Sequence, residues 1–264
     1  MTSPRRTGKL ASRIVGIEEF RGMVEEAFDL FAEHYEGADR ARFEEDLADK
    51  RLVVVLEDSV TGRLRGFSTV HVSRRRDVRG RACTVVFSGD TVIHHECWGQ
   101  GQLQRVFTRL LLRIKLRRPW QPLYWFLICK GYRTYLLLVN HVHRAVPRHD
   151  LQPPRRLQAM LDVVATERFG EHYDADLGLV RWPEAASHEH VRPDIGAISQ
   201  ELTASNPHVA LFVERNPEYE RGDELACLGD MTLWTMVREG VRTSVRAVTK
   251  SRRALARRPA TVAR

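Results

Sequence analysis

The sequence predicts an α/β fold: an open sheet with helices on its faces. Three observations carry this. Runs with helical spacing and runs rich in β-branched residues follow one another as helix, helix, hairpin, strand, glycine loop, helix, strand, helix. Several strand runs are apolar throughout, so both of their faces need cover, and helices packed on an open sheet supply it. Finally, 264 residues at 43% hydrophobic and 29% charged describe a globular chain long enough to bury its own core.

The elements follow in order. Residues 1–13 read as a loose basic leader. Ile17 to Tyr35 has apolar residues at helical spacing and predicts one amphipathic helix, and residues 38–49 a shorter, acid-rich one. LVVVLED and LRGFSTVHV flank a turn at Thr61-Gly62, which makes an antiparallel hairpin. Residues 82–93 predict a strand, and CWGQGQ a glycine loop. A helix from Leu103 to Arg118 follows, with one basic and one apolar face. LYWFLIC is a short apolar strand, and the run from Tyr132 a helix. After Pro147 the character changes. Pro153 to Phe169 predicts a helix, Leu179 to Trp182 a strand, 183–194 a polar loop and Val209 to Val213 (VALFV) a strand. Met231 to about Leu255 predicts one long helix. The chain thus divides into a leader (1–13), a core (14–150), a C-terminal part completing the sheet (151–241) and a basic tail (242–264).

The formal net charge is +8, which by itself suggests nucleic acid or a membrane surface as partner. Its distribution argues otherwise. Residues 1–70 carry net −3, residues 71–160 net +13, residues 161–241 net −10 and residues 242–264 net +8. The whole excess equals the tail, which is a candidate for weak membrane-surface contact. No base-reading motif accompanies it, so no specific nucleic acid is expected. The body is internally polarised.

Cys83, Cys97, Cys129 and Cys227 form no C-x-x-C pair, and the expectation is reduced, buried thiols. The first residues lack an apolar signal-peptide region, and the most apolar stretch is broken by Lys130 and Arg133. A cytoplasmic protein is expected. No histidine or cysteine spacing, including His94-His95 with Cys97, matches a zinc pattern, so no metal is expected.

From Thr84 a strand leads into Trp98-Gly99-Gln100-Gly101-Gln102-Leu103, and a helix opens at once. A helix start leaves N–H groups unpaired and carries partial positive charge, so it favours phosphate, and glycine allows close approach. A plain strand-to-helix turn uses the same residues. Over residues 17–145 the order of elements resembles the GNAT (N-acetyltransferase-like) acyltransferase superfamily. Gly101 matches the fixed glycine of that family's pyrophosphate loop and Gly99 a frequent extra one. Trp98 and Leu103 stand where the family has a basic or amide residue and a small one. The resemblance implies a mixed, mostly antiparallel twisted sheet flanked by helices, with a helical or irregular C-terminal extension. It implies that 14–150 binds acetyl-CoA or another acyl-CoA through Trp98, Gly99, Gln100, Gly101, Gln102 and Leu103, with Arg105 on the following helix.

It also directs attention to the strand before the loop and the helix after the next strand. Asp90, in a largely apolar strand, would have its pKa raised by burial, which suits a general base. Glu96 ranks second and His95 third. In the family a Tyr on the later helix often protonates the departing thiolate. Tyr132 and Tyr135 are the candidates here, and aromatic core packing is their alternative role. Glu214, Glu218, Glu220, Asp223 and Glu224 lie among turn residues and form a candidate acceptor-side lid. The expected activity is acyl transfer from CoA to an amine of a small molecule or protein. Two alternatives stay open. One is a long-chain N-acyl amino acid synthase-like enzyme using acyl-CoA or acyl carrier protein. The other is a GNAT-like binding protein without catalysis.

Overall fold

A computed structural model describes residues 9–152, 154–182 and 189–237. Strand β1 (Leu10–Gly16) leads into helices α1 (Ile17–Arg21) and α2 (Val24–Ala32), a two-residue strand β2 (Tyr35–Glu36) and helix α3 (Arg40–Leu47). Strands β3 (Leu52–Asp58), β4 (Leu64–Arg76) and β5 (Ala82–Ile93) follow. Then come α4 (Gln102–Arg117), β6 (Leu123–Cys129), α5 (Tyr132–His141), β7 (Ala145–Val146) and α6 (Arg155–Phe169). The C-terminal part holds β8 (Tyr173–Asp174), β9 (Leu179–Val180), β10 (His190–Val191), α7 (Pro193–Gly196), α8 (Gln200–Ser205), α9 (Pro207–Arg215) and β11 (Glu224–Asp230).

The main sheet runs β1-β3-β4-β5-β6-β11-β9-β8, with β7 also pairing β11. Every pairing is antiparallel except β5 with β6. This is the mixed, mostly antiparallel α/β sheet implied by the resemblance. A separate ribbon joins β2 to β10. On one face α4, α5 and α9 pack over the middle of the sheet through Phe107, Leu111, Trp125, Tyr135 and Phe212. On the other face are two cores. One holds α1, α2 and α3 over β3 and β4, the other α6 over β5, β6 and β11.

Several expectations change, among them the polar loop expected at 183–194, whose described part holds β10 and the start of α7. Residues 10–13 belong to β1, which pairs with β3 along its whole length, so the leader ends earlier than residue 13. Arg13 reads as leader charge, yet as an edge-strand residue it hydrogen-bonds Glu57 at 2.9 Å. The single helix from Ile17 to Tyr35 is two helices. Gly22 ends the first, and its N–H turns back to the Glu19 carbonyl. VALFV is helix α9, not a strand. Asn206 caps it by accepting from the His208 and Val209 N–H groups, and Pro207 occupies its first position. The strand beside β6 is instead Glu224–Asp230. The predicted C-terminal helix is present at 233–237; the rest of it and the basic tail fall outside the described residues. The four cysteines are free and buried. Among the described residues no helix is long and apolar enough to cross a membrane.

Candidate active site

The site begins where two parallel strands part. β5 and β6 pair from Thr84 with Leu123 to Ser88 with Leu127, and no further. Beyond Ser88, β5 stays with β4 while β6 continues with β11. A cleft of about 510 Å³ occupies this split, lined from both faces of the sheet.

A bulge aims Asp90 into it. Ser68 pairs with Thr91 and Val70 with Ser88, so Gly89 and Asp90 together stand opposite the single residue Thr69. Before the bulge, Val86 packs toward α4 and Trp125 donates to the Ser88 hydroxyl at 3.0 Å on that side. Simple alternation would place Asp90 with them. The extra residue turns it to the opposite face, which carries Phe87 and Val92. Gly89 is required there, because a Cβ would lie 2.6 Å from Thr69 Oγ1 and 3.0 Å from Lys50 Cε.

On this face α3 and α6 leave the sheet uncovered, and a group of charges fills the gap. Lys130 follows Phe126 and Ile128 in the alternation of β6, so it points the same way. Its Nζ pairs with Glu189, lies 3.9 Å from Glu224 Oε1, and stands over the Tyr35 ring. Glu224 continues the inward series Ala226 and Leu228 of β11 and accepts from Trp182 Nε1 at 3.3 Å. Asp46, at the end of α3, stands at the exposed mouth. Lys50 holds the Asp46 carbonyl and the Asp49 carboxylate, both at 2.6 Å.

Burial and the nearby Asp46 charge push the Asp90 carboxyl up to about 6, against the pull of Lys130. Burial pushes Glu224 up to about 7, and Lys130 and the Trp182 N–H oppose it. Lys130 loses some basicity to burial, but Glu224 and Glu189 outweigh the loss and hold it charged beyond the ordinary lysine range.

The glycine loop forms the other mouth. Gly99 and Gly101 both take left-handed backbone, with φ of 73° and 67°, and Gly101 caps α4. The first intrahelical bond is Arg105 N–H to the Gly101 carbonyl, so the N–H groups of Gln102, Leu103 and Gln104 precede the ladder. Trp98 ties the loop to β5 through Nε1 to the Ile93 carbonyl at 2.7 Å, with the Arg133 guanidinium over its ring. Gln102 anchors the loop to β1 through the Leu10 carbonyl and Ser12 Oγ. Arg105 turns its donors onto Gln102 Oε1 and the Gln100 carbonyl, which braces the loop from within.

Of the sequence candidates, Asp90, Tyr132, Trp98, Gly99 and Leu103 all line the cleft. Glu96 does not: it is exposed on a 3-10 turn, facing Arg65 at 3.8 Å and His94 Nδ1 at 3.7 Å. His95, beside it, is exposed and stacked on His94. Tyr135 is fully buried beneath α9 against Phe212, and its hydroxyl donates to the Pro147 carbonyl. It is three residues from Tyr132, a spacing that makes the two neighbours on the helix surface, but only Tyr132 lines the cleft. In the expected acidic lid only Glu224 reaches the cleft, while Asp223 pairs with Arg181. Asn216, fully buried, pins that turn through the Asp223 carbonyl. Sequence reasoning missed Tyr35, Asp46, Lys50, Lys130 and Glu189. Lys130, a lone charge closing an apolar strand run, was the one visible signal.

No family model matches the chain, and no curated protein matches it significantly. Solved structures do show likeness. A GNAT family N-acetyltransferase from Escherichia coli in complex with CoA is 16% identical, over 53% of this chain and 74% of that one, with a TM-score of 0.35. Glucosamine-6-phosphate N-acetyltransferase from Arabidopsis thaliana is 16% identical, over 55% and 97%, with a TM-score of 0.34. A conserved protein of unknown function from Enterococcus faecalis V583, described as a probable N-acyltransferase, is 17% identical, with a TM-score of 0.37. The match covers 48% of this chain and 31% of that one, so this chain spans about a third of its length.

Proposed function

We propose that the protein is a divergent GNAT-type acyltransferase that moves an acyl group from acyl-CoA to an amine. One observation carries the reading. A single cleft passes through the β5/β6 split, with the glycine-started helix α4 at one mouth and a carboxyl of raised pKa, Asp90, inside the other. The first mouth suits a pyrophosphate: the unladdered N–H groups of α4 gather there, and the left-handed glycines keep side chains away. The edge of β5 freed by the split offers main-chain donors for a pantetheine arm and for the thioester oxygen.

The chain's residues then divide the chemistry. Asp90, ionised, removes a proton from the acceptor's ammonium and leaves a neutral amine. That amine forms the new C–N bond at the thioester carbonyl, and the C–S bond breaks as the tetrahedral adduct collapses. Tyr132, at the start of α5 and on the cleft wall, gives its phenolic proton to the departing thiolate and regains one from solvent. The remaining amine proton leaves to water, so one amide, one free thiol and one proton result.

Gly101→Glu is expected to abolish acyl-CoA binding in calorimetry while circular dichroism shows a folded protein. The new side chain adds negative charge at the loop, and its backbone strain costs about 1–2 kcal/mol. Retained binding of acetyl-CoA and longer acyl-CoAs by this variant would remove the loop from the site.

One observation favours donors longer than acetyl. A small apolar chamber of about 40 Å³, lined by Phe107, Leu111, Trp125, Met231 and Met236, shares Thr91, Leu103 and Leu137 with the cleft. Each buried methylene contributes about 0.8 kcal/mol. Hexanoyl-CoA, with four more methylenes, is therefore expected to exceed acetyl-CoA in kcat/KM by up to ~200-fold, and Leu111→Trp to reverse the order. A flat response to acyl length would rule the chamber out as an acyl site.

A further inference from the structure

Away from the cleft, the segment after β7 meets the first turn of α9. We propose that His149, Asp150 and His208 there bind one divalent transition-metal ion of the zinc class. Their ligand atoms all lie within 4.8 Å of one another. The residues are 58 positions apart in the chain, so no sequence spacing displays the group.

Two of the three ligands are held from behind. Arg148, itself only 5% exposed at its side chain, grips Asp150 through Nε at 2.6 Å and Nη2 at 2.8 Å. The same guanidinium is anchored on the Val139 and Val142 carbonyls at the end of α5. This is the outer-shell hydrogen bonding that orients a metal-binding carboxylate. The His208 backbone N–H donates to the Asn206 cap, and its ring packs against Tyr135. Its Nδ1 is buried and has no hydrogen-bond partner among the described residues. The His149 ring meets the His208 ring edge to face, with centroids 4.3 Å apart.

The donor chemistry selects the ion. Two imidazoles and one carboxylate make a mixed nitrogen–oxygen set, which suits zinc and its neighbours, whereas magnesium and calcium prefer oxygen alone. Ligand distances of about 2.0–2.1 Å put tetrahedral donors roughly 3.4 Å apart. Side-chain rotations of about 1 Å close the observed group to that spacing. His149 and Asp150 are exposed, which leaves an approach path and a fourth position for water. The ion would join the β7–α6 segment to α9, two elements that are far apart in sequence.

The test uses the untagged full chain, stripped with a chelator and titrated with zinc chloride. Calorimetry is expected to show one ion bound at low-micromolar Kd or tighter. Saturating zinc is expected to raise the thermal midpoint by ~5 °C, and magnesium chloride to leave it unchanged. His149→Ala, at an exposed position that folding tolerates, and His208→Ala should each weaken binding at least ~10-fold. His143→Ala should bind as the wild type does. Absence of stoichiometric binding, equal binding of magnesium, or unchanged affinity in both histidine variants would overturn the site.

Discussion

Asp90→Asn is expected to lower kcat/KM by ~10²–10⁴ with little change in acyl-CoA affinity, the scale of a lost general base. The asparagine is isosteric, so the bulge at Gly89 and the β4 pairing remain. The pH profile separates a base from a merely structural aspartate. A carboxyl held up to about 6 is protonated below that pH and ionised above it. Only the ionised form accepts a proton, so the wild-type rate should climb as pH rises through about 6 and then level, apart from the acceptor's own titration. The variant should lose that limb and keep only the acceptor's. Glu96→Gln, at an exposed position outside the cleft, should stay within about twofold of wild type, because surface changes of this kind perturb little. A variant at Asp90 that loses rate equally at every pH, with its limb intact, would move the base elsewhere.

Much of this arrangement was legible in the sequence because it is local. The hairpin, the strand 82–93, the glycine loop and the two helices that follow are each signalled by periodicity and turn residues within a dozen positions. Asp90 could be nominated from its apolar strand. Its direction could not, because a bulge is a property of two strands and only the β4 register reveals it. The same limit explains α9. Val209 to Val213 reads as a strand by composition, while Asn206 and Pro207, just upstream, set the helix start that decides the matter. The charges around Asp90 were illegible for a different reason. Asp46, Lys130, Glu189 and Glu224 come from four separate elements and meet only when the sheet closes. Segment totals hinted at this, with a basic middle facing an acidic C-terminal part, but totals do not pair residues. Tyr132 and Tyr135 looked interchangeable, and α9 decides between them by covering the second.

Lys130→Met is expected to destabilise the protein by ~3 kcal/mol at pH 8 and by much less at pH 5. The side chains of Lys130, Glu189 and Glu224 are 17%, 12% and 8% exposed, so the group is largely withdrawn from water. Removing one partner of such a pair typically costs ~3–5 kcal/mol, because the other charge is left uncompensated. Protonation limits that cost, and it gives the prediction its pH dependence. Glu224 has its folded pKa raised from 4.5 to about 7 even with Lys130 beside it. Between those values the folded protein holds a proton that the unfolded chain releases, so stability falls as pH rises across this window. Without Lys130 the folded pKa rises further, the window extends upward and the loss deepens at alkaline pH. Below about 4.5 both states are protonated and Glu224 no longer distinguishes wild type from variant. His94 and His208, whose pKa burial lowers, have the opposite slope, but they are common to both proteins and cancel in the difference. Urea unfolding of the two proteins at pH 5 and pH 8 measures the gap directly. Adding Glu224→Gln to the variant should recover part of the loss at pH 8 and little at pH 5, since the amide carries no charge to strand. A gap that stays the same at both pH values would mean that the methionine repacks the cleft. The carboxylates around Asp90 would then owe their ionisation to some other cation.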